Sequence, residues 1–217
     1  MNLILLALAP IFIILIYIYV RDKYEREPIS LLLKSLFLGV VITIPISFTE
    51  SFLSTFNLAT SQFGFAFYNA FVVASFTEEL FKFGVLYLLI WGSREFDEHF
   101  DGIVYAVFIS LGFAAAENVM YVMEYGTQTG YLRAATAVPA HAIFGITMGY
   151  YFSLAKFETE STLFNLTKAI SVPILLHGIY DFILMAEHPL FLLGFLPFLI
   201  YLWVTGFRKM KTLSSNR

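Results

Sequence analysis

Nearly the whole chain is a succession of apolar runs, each about long enough to cross a bilayer, and polar clusters interrupt four of them. A bilayer-spanning helix needs about 20 mostly apolar residues. Seven such stretches can be marked, at roughly 2–20, 30–56, 66–92, 102–125, 133–156, 166–186 and 189–207. With 13% charged residues against about 25% in ordinary soluble domains, and a mean hydropathy of +0.78, the sequence predicts an all-α integral membrane protein. The expected architecture is a bundle of about seven transmembrane helices. Its connecting loops are too short to fold alone, so residues 1–207 read as one polytopic domain and 208–217 as a basic tail. Any chemistry must come from the helices.

Lysine and arginine placement sets the orientation, because basic residues gather on cytoplasmic loops. With the N-terminus outside and the C-terminus cytoplasmic, ten of the thirteen fall inside: Arg21, Lys23, Arg26, Arg94, Lys156, Lys168, Arg208, Lys209, Lys211 and Arg217. Arg133 alone falls outside, while Lys34 and Lys82 lie within spans. The acidic loop Ser93 to Asp101 fits the inside less well, although acidic residues contribute little to this rule. Met1-Asn2 runs directly into Leu3-Ile-Leu-Leu without the basic leader or cleavage site of a secretory signal, so the first span is expected to be retained. The lack of cysteine removes disulfides, thiol nucleophiles and thiolate metal sites from consideration. A net charge of −3 does not suggest nucleic acid as a partner, whereas the basic tail suits a lipid surface.

The four clusters are Glu78-Glu79-Leu-Phe-Lys82, Phe113-Ala-Ala-Ala-Glu117-Asn118, His141, and His177-Gly-Ile-Tyr-Asp181. Ionisable groups at membrane depth cost kilocalories each, and their default reading is a functional site facing the protein interior. Counted at 1.5 Å per residue from the outer end of each span, Glu78 lies ~18 Å deep, His177 ~15 Å, Glu117 and His141 ~12 Å and Asp181 ~9 Å. Four helices thus deliver acids and imidazoles to one layer in the outer half of the bilayer.

Glu78 and Lys82 are spaced i,i+4 and can pair internally. Glu79 sits about 100° further round the helix, so one carboxylate can bind Lys82 while the other faces a cavity. Glu117 lies beyond Gly112 and Ala114-Ala-Ala116, small residues that let helices approach closely. There it is either a site acid or an interhelical hydrogen-bonding group. Asn118, taken alone, is helix glue, and His141, taken alone, is a helix-start residue after Pro139. His177 and Asp181 have the i,i+4 spacing at which a carboxylate orients an imidazole. Glu50 is placed to line the same cavity.

A carboxylate base with imidazoles in a dry site can activate water, stabilise an oxyanion or bind a divalent metal, all of which point to hydrolysis. The chain lacks a His-Glu-x-x-His zinc motif, a Gly-x-Ser-x-Gly elbow, and a Gly-x-Gly-Asp motif with Tyr180-Asp181. The rival reading is a proton- or ion-coupled transporter, which is also built from buried Glu, His and Lys. Such transporters often carry internal repeats, and the Glu-Glu doublet has no counterpart in the second half.

The motif order Glu-Glu-x-x-Lys at 78–82, Phe-x-x-x-Glu-Asn at 113–118, His-x-x-x-Gly at 141–145 and His-x-x-x-Asp at 177–181 resembles the PrsW family of bacterial intramembrane proteases. The Asp97–Tyr105 segment, Leu111-Gly-Phe113, the Leu176–Phe182 run and the seven-span layout extend the likeness over most of the chain. The resemblance implies a multi-pass protein of the bacterial cell membrane, in a wider group with CAAX prenyl proteases and abortive-infection proteins. It implies a single-pass anti-sigma factor as substrate, cut near the outer membrane face (site-1 cleavage) so that a sigma factor is released under envelope stress. On this likeness Glu78, Glu79, Glu117, His141, His177 and Asp181 form the site, with Lys82 and Asn118 in support. Glu79, or else Glu78, is expected to deprotonate a water and His177 to stabilise the oxyanion. Glu117 and His141 either position the water or complete a metal site. A zinc ion on Glu79, Glu117, His141 and His177 is one reading, and a glutamate-histidine site without metal is the other.

Overall fold

The computed structural model describes residues 2–22, 25–158 and 161–214, and every regular element among them is helical. Lys23 and Arg217, which entered the orientation argument, lie outside the described residues. The first rod is α1 (Leu3–Arg21). The second joins α2 (Ile29–Val41) to α3 (Thr43–Ser54) across a break at Ile42. Pro45 has no N–H to give Val41, which accounts for a break at that point. The third rod comprises α4 (Gln62–Tyr68), a π-helical segment (Asn69–Ser75) and α5 (Phe76–Ile90). Then come α6 (Asp101–Tyr125), a short α7 (Thr127–Ala135), α8 (Ala137–Phe157), α9 (Thr162–Met185) and α10 (Pro189–Leu213).

Five of the rods are long and apolar enough to span a membrane as they stand. The third is split by its π segment, and α8 is less apolar because it carries His141, two glycines and several hydroxyls near the centre of the bundle. The expected span at 133–156 is in fact two helices, with Thr136 between them at φ −124° and ψ −68°. Pro139 in the first turn of α8 lacks only an N–H that would have had no helical partner there. Arg208, Lys209 and Lys211 continue α10 instead of forming a separate tail.

Burial ranks the helices from centre to rim. In the apolar window of α6, 72% of residues are buried, against 11% in α10, so α6 is the axis of the bundle and α10 a lipid-facing wall. Two glycine pairs bring neighbours close to that axis. A Cβ on Gly112 would lie 2.1 Å from the Leu36 carbonyl oxygen of α2, and one on Gly149 of α8 would lie 2.2 Å from that of Gly102. Small residues at such crossings replace the hydrophobic drive that lipid removes. The first seats α2 and the second seats α8 against α6, the helix that carries Glu117.

Candidate active site

The π segment ends immediately before α5, two residues ahead of the glutamate doublet. Such wide turns occur preferentially at functional positions in helices. Glu78, Glu79 and Lys82 are all buried, at 5%, 0% and 1% exposure. Lys82 Nζ donates to Glu78 Oε2 at 2.9 Å and to Glu79 Oε1 at 2.7 Å. It also sits 4.3 Å from the Phe113 ring centroid, a cation–π contact in a dry setting. Both glutamates therefore pair with Lys82, where the spacing suggested that only one would.

Two imidazoles complete the inner cluster. His177 of α9 places Nδ1 3.0 Å from Glu79 Oε1 and Nε2 3.2 Å from Asp181 Oδ2. Phe144 stacks on its ring at 4.9 Å. His141 of α8 turns Nδ1 to Lys82 Nζ at 3.5 Å and Nε2 to Glu117 Oε2 at 3.0 Å. His177 thus faces the glutamate pair through Nδ1 and His141 faces their shared lysine, and each ring is held from behind by an outer carboxylate. With both His177 nitrogens engaged by carboxylates, an oxyanion role for this ring requires it to give up Asp181; holding the inner cluster needs no rearrangement.

Glu117 was expected among the metal ligands but stands one layer out. Arg133 Nη2 donates to its Oε2 at 2.7 Å, and Arg133 Nε donates to Asn118 Oδ1 at 2.8 Å. Asn118 Nδ2 in turn donates to the Ala7 carbonyl of α1 at 2.7 Å, fixing α1 to α6. Arg133 lies over the Tyr121 ring at 4.1 Å. Sequence reasoning gave this arginine no role. Its one signal was to be the sole basic residue assigned to the outer loops.

A cavity of about 750 Å³ opens among α3, α6, α8 and α9, lined by Glu50, Glu78, Glu117, Arg133, His141, His177 and Asp181, with Ser47, Ser51 and Ser54 of α3 on one wall. Glu79 does not line it and is fully buried beneath. Of the two glutamates, the cavity reaches Glu78, the alternative acid, and not Glu79.

The donor chemistry fits a metal. Glu78, Glu79, His141 and His177 each offer a ligand atom within 4.8 Å of the others. Glu79 Oε2 is buried without a hydrogen-bond partner among the described residues, an orphan acceptor of the kind that a bound ion or water satisfies. Carboxylate and imidazole suit zinc and similar borderline cations. Carboxylates behind both rings are the usual support of ligating histidines. A divalent ion would share Glu78 and Glu79 with the Lys82 ammonium.

The profile of the PrsW family intramembrane metalloproteases matches residues 27–205. Protease PrsW of Bacillus subtilis (strain 168) is 40% identical over 205 residues, covering 94% of this chain and 92% of the relative. Protease PrsW of Oceanobacillus iheyensis is 41% identical over 96% of this chain and 94% of its own. Protease PrsW of Clostridioides difficile (strain 630) is 37% identical over 97% and 91%. No solved structure matches the chain.

Proposed function

Because the chain belongs to the PrsW family of intramembrane metalloproteases, and is thus a multi-pass bacterial membrane protease, we propose that it makes the first cut in a single-pass, membrane-anchored anti-sigma factor near the outer face. Family membership also decides between proteolysis and transport as the use of the buried charges. The observation that carries the proposal is the cavity with Glu78 on its wall. It lies at the end of the bundle that bears loops 55–61 and 186–188 together with α7. Basic-residue placement assigns that end to the outside, where the membrane-proximal stretch of such a substrate emerges.

In the proposed reaction a cavity water gives a proton to Glu78 as its oxygen attacks the scissile carbonyl. Lys82, paired with both carboxylates, holds the glutamate pair in place. Collapse of the tetrahedral carbon breaks the C–N bond, and the proton held by Glu78 passes to the leaving amine, which balances the hydrolysis. Glu79, His141 and His177 would hold the metal, for which we propose zinc, with Glu78 at its edge. When bound, zinc polarises the carbonyl and lowers the pKa of a water to about 7. Glu117 and Asp181 orient the two imidazoles, and Arg133 orients Glu117.

Co-expression with a single-pass anti-sigma factor tests this reading. Cleavage is expected with the wild type and to be lost in Glu78→Gln, Glu79→Gln and His177→Ala. Cleavage that persists in all three variants overturns the site, and an intact anti-sigma factor with active wild-type protease overturns the substrate class.

A further inference from the structure

A second acidic cluster lies at the opposite end of α6. Asp101, the first residue of that helix, is ~24 Å along the axis from Glu117. Asp22, at the end of α1, and Glu98, in the link between α5 and α6, meet it there. Each of the three brings a carboxylate oxygen within 4.8 Å of the other two. Asp22 is 2% exposed and Asp101 is fully buried. Glu27 is buried beside them, accepts from the Tyr105 hydroxyl and interacts with both aspartates. Arg26 acts on Asp22, and it is solvent-exposed with its guanidinium over Tyr19.

Packing four acids together with so little opposing charge among the described residues is costly. Burial pushes the Asp22 carboxyl up to about 6 and that of Glu27 up to about 9. The geometry adds a more specific observation. Asp101 Oδ2 accepts from the backbone N–H groups of Asp97 at 3.1 Å and Glu98 at 2.7 Å, which folds the acidic loop over the helix start. Its other oxygen, Oδ1, is buried without a hydrogen-bond partner among the described residues. A carboxylate oxygen can only accept while ionised; the neighbouring Glu27 carboxyl bonds to Asp101 only through a shared proton, and a cation can take the place of that proton.

We propose that Asp22, Glu98 and Asp101 bind a hard divalent cation, Ca²⁺ or Mg²⁺, at the end of the bundle away from the proteolytic cavity. An all-oxygen, carboxylate-rich set without imidazole is the chemistry such ions select. Ligand oxygens on opposite sides of Ca²⁺ stand up to roughly 5 Å apart, given bonds of about 2.3–2.6 Å, so the cluster needs little movement to close on an ion. The cation clips the α1–α2 and α5–α6 links onto the central helix. Its role is to hold the bundle together, and it is independent of the assignment of the proteolytic site.

Purified, chelator-stripped full-length protein in detergent or nanodiscs is titrated with Ca²⁺, Mg²⁺ and Mn²⁺, reading thermal unfolding and, for Mn²⁺, bound ion by electron paramagnetic resonance. A parallel Glu79→Gln/His177→Ala variant removes ligands of the intramembrane cluster. A saturable rise in melting temperature of roughly 5–10 °C is expected at a hundredfold excess over Kd, together with a Mn²⁺ signal that the intramembrane variant retains. Asp22→Asn and Asp101→Asn are expected to lose both. If Asp101→Asn does not fold, Asp22→Asn and direct Mn²⁺ binding still decide. The proposal is overturned if no cation shifts stability, if the asparagine variants respond like wild type, or if the response disappears only in the intramembrane variant. A rise in stability in Asp101→Asn without any cation effect would identify a cluster that shares protons.

Discussion

Glu117 holds His141 from behind, with Oε2 3.0 Å from Nε2, while Nδ1 of the same ring faces Lys82 at 3.5 Å. The carboxylate therefore acts through the ring and sets the direction in which Nδ1 points. Glu117→Gln keeps an acceptor of similar shape but removes the charge. Its metal affinity, measured by competition with a chelator, is expected to fall by about 10- to 100-fold, with little change in thermal stability. A Glu117 that merely packed α6 against α8 would lower stability and leave metal affinity alone.

Arg133 spans two acceptors with one guanidinium, Glu117 Oε2 and Asn118 Oδ1. A lysine ammonium cannot reproduce that fork. Arg133→Lys is expected to slow cleavage by roughly tenfold, corresponding to about 1.4 kcal/mol, and Arg133→Ala to slow it further. The His141-dependent metal affinity should fall in the same order. Equal rates for wild type and Arg133→Lys would reduce the arginine to a simple counter-charge.

The absence of cysteine makes the orientation directly measurable. Ala59→Cys lies in the exposed link before α4, at the cavity end, and Glu95→Cys in the exposed link before α6. In intact cells a membrane-impermeant maleimide is expected to label the first and to spare the second until the membrane is permeabilised. The reverse pattern would put the cavity on the cytoplasmic side and end the site-1 assignment.

The spans and the four clusters could be read because both signals are local: apolar length sets each rod, and a charge inside a rod must turn inward. Which glutamate faces the cavity could not, because Glu78 and Glu79 differ by only about 100° of helix rotation. That rotation depends on the π segment at Asn69–Ser75 and on packing against α9, where Gly178 meets the Phe71 ring. Arg133 was hidden because 133–156 reads as one apolar run. The break at Thr136 folds α7 back over the site, and its cause, Pro139, is equally compatible with an unbroken segment starting nearby. The outward place of Glu117 follows from that missed arginine.

Lys82 is the fixed cation under the glutamate pair, 1% exposed and bonded to both. Lys82→Met leaves the carboxylates buried without it, a loss that costs about 3–5 kcal/mol when one partner of a buried pair is removed. A fall of that size in unfolding free energy is expected in detergent. Added zinc should recover part of it, because a divalent ion on the same oxygens restores the missing charge. Adding Glu78→Gln and Glu79→Gln to the lysine variant should recover stability without zinc, which separates charge imbalance from lost packing.

Glu78 and Glu79 are neighbours with different access. Glu78 lines the cavity, whereas Glu79 is fully buried, with Oε1 between Lys82 and His177 and Oε2 unpartnered among the described residues. Water can reach the first, and the second can only hold something that is already inside. Glu78→Gln is therefore expected to lower cleavage by at least 100-fold, the lower range for loss of an acid–base group, while keeping most metal affinity. Glu79→Gln should lose cleavage and metal together. Glutamine at 79 retains an acceptor for Lys82, so a folding defect should be smaller than in Lys82→Met. Metal content and single-turnover cleavage on the same two preparations check the division. Retained metal in Glu79→Gln with metal loss in Glu78→Gln would exchange the two roles.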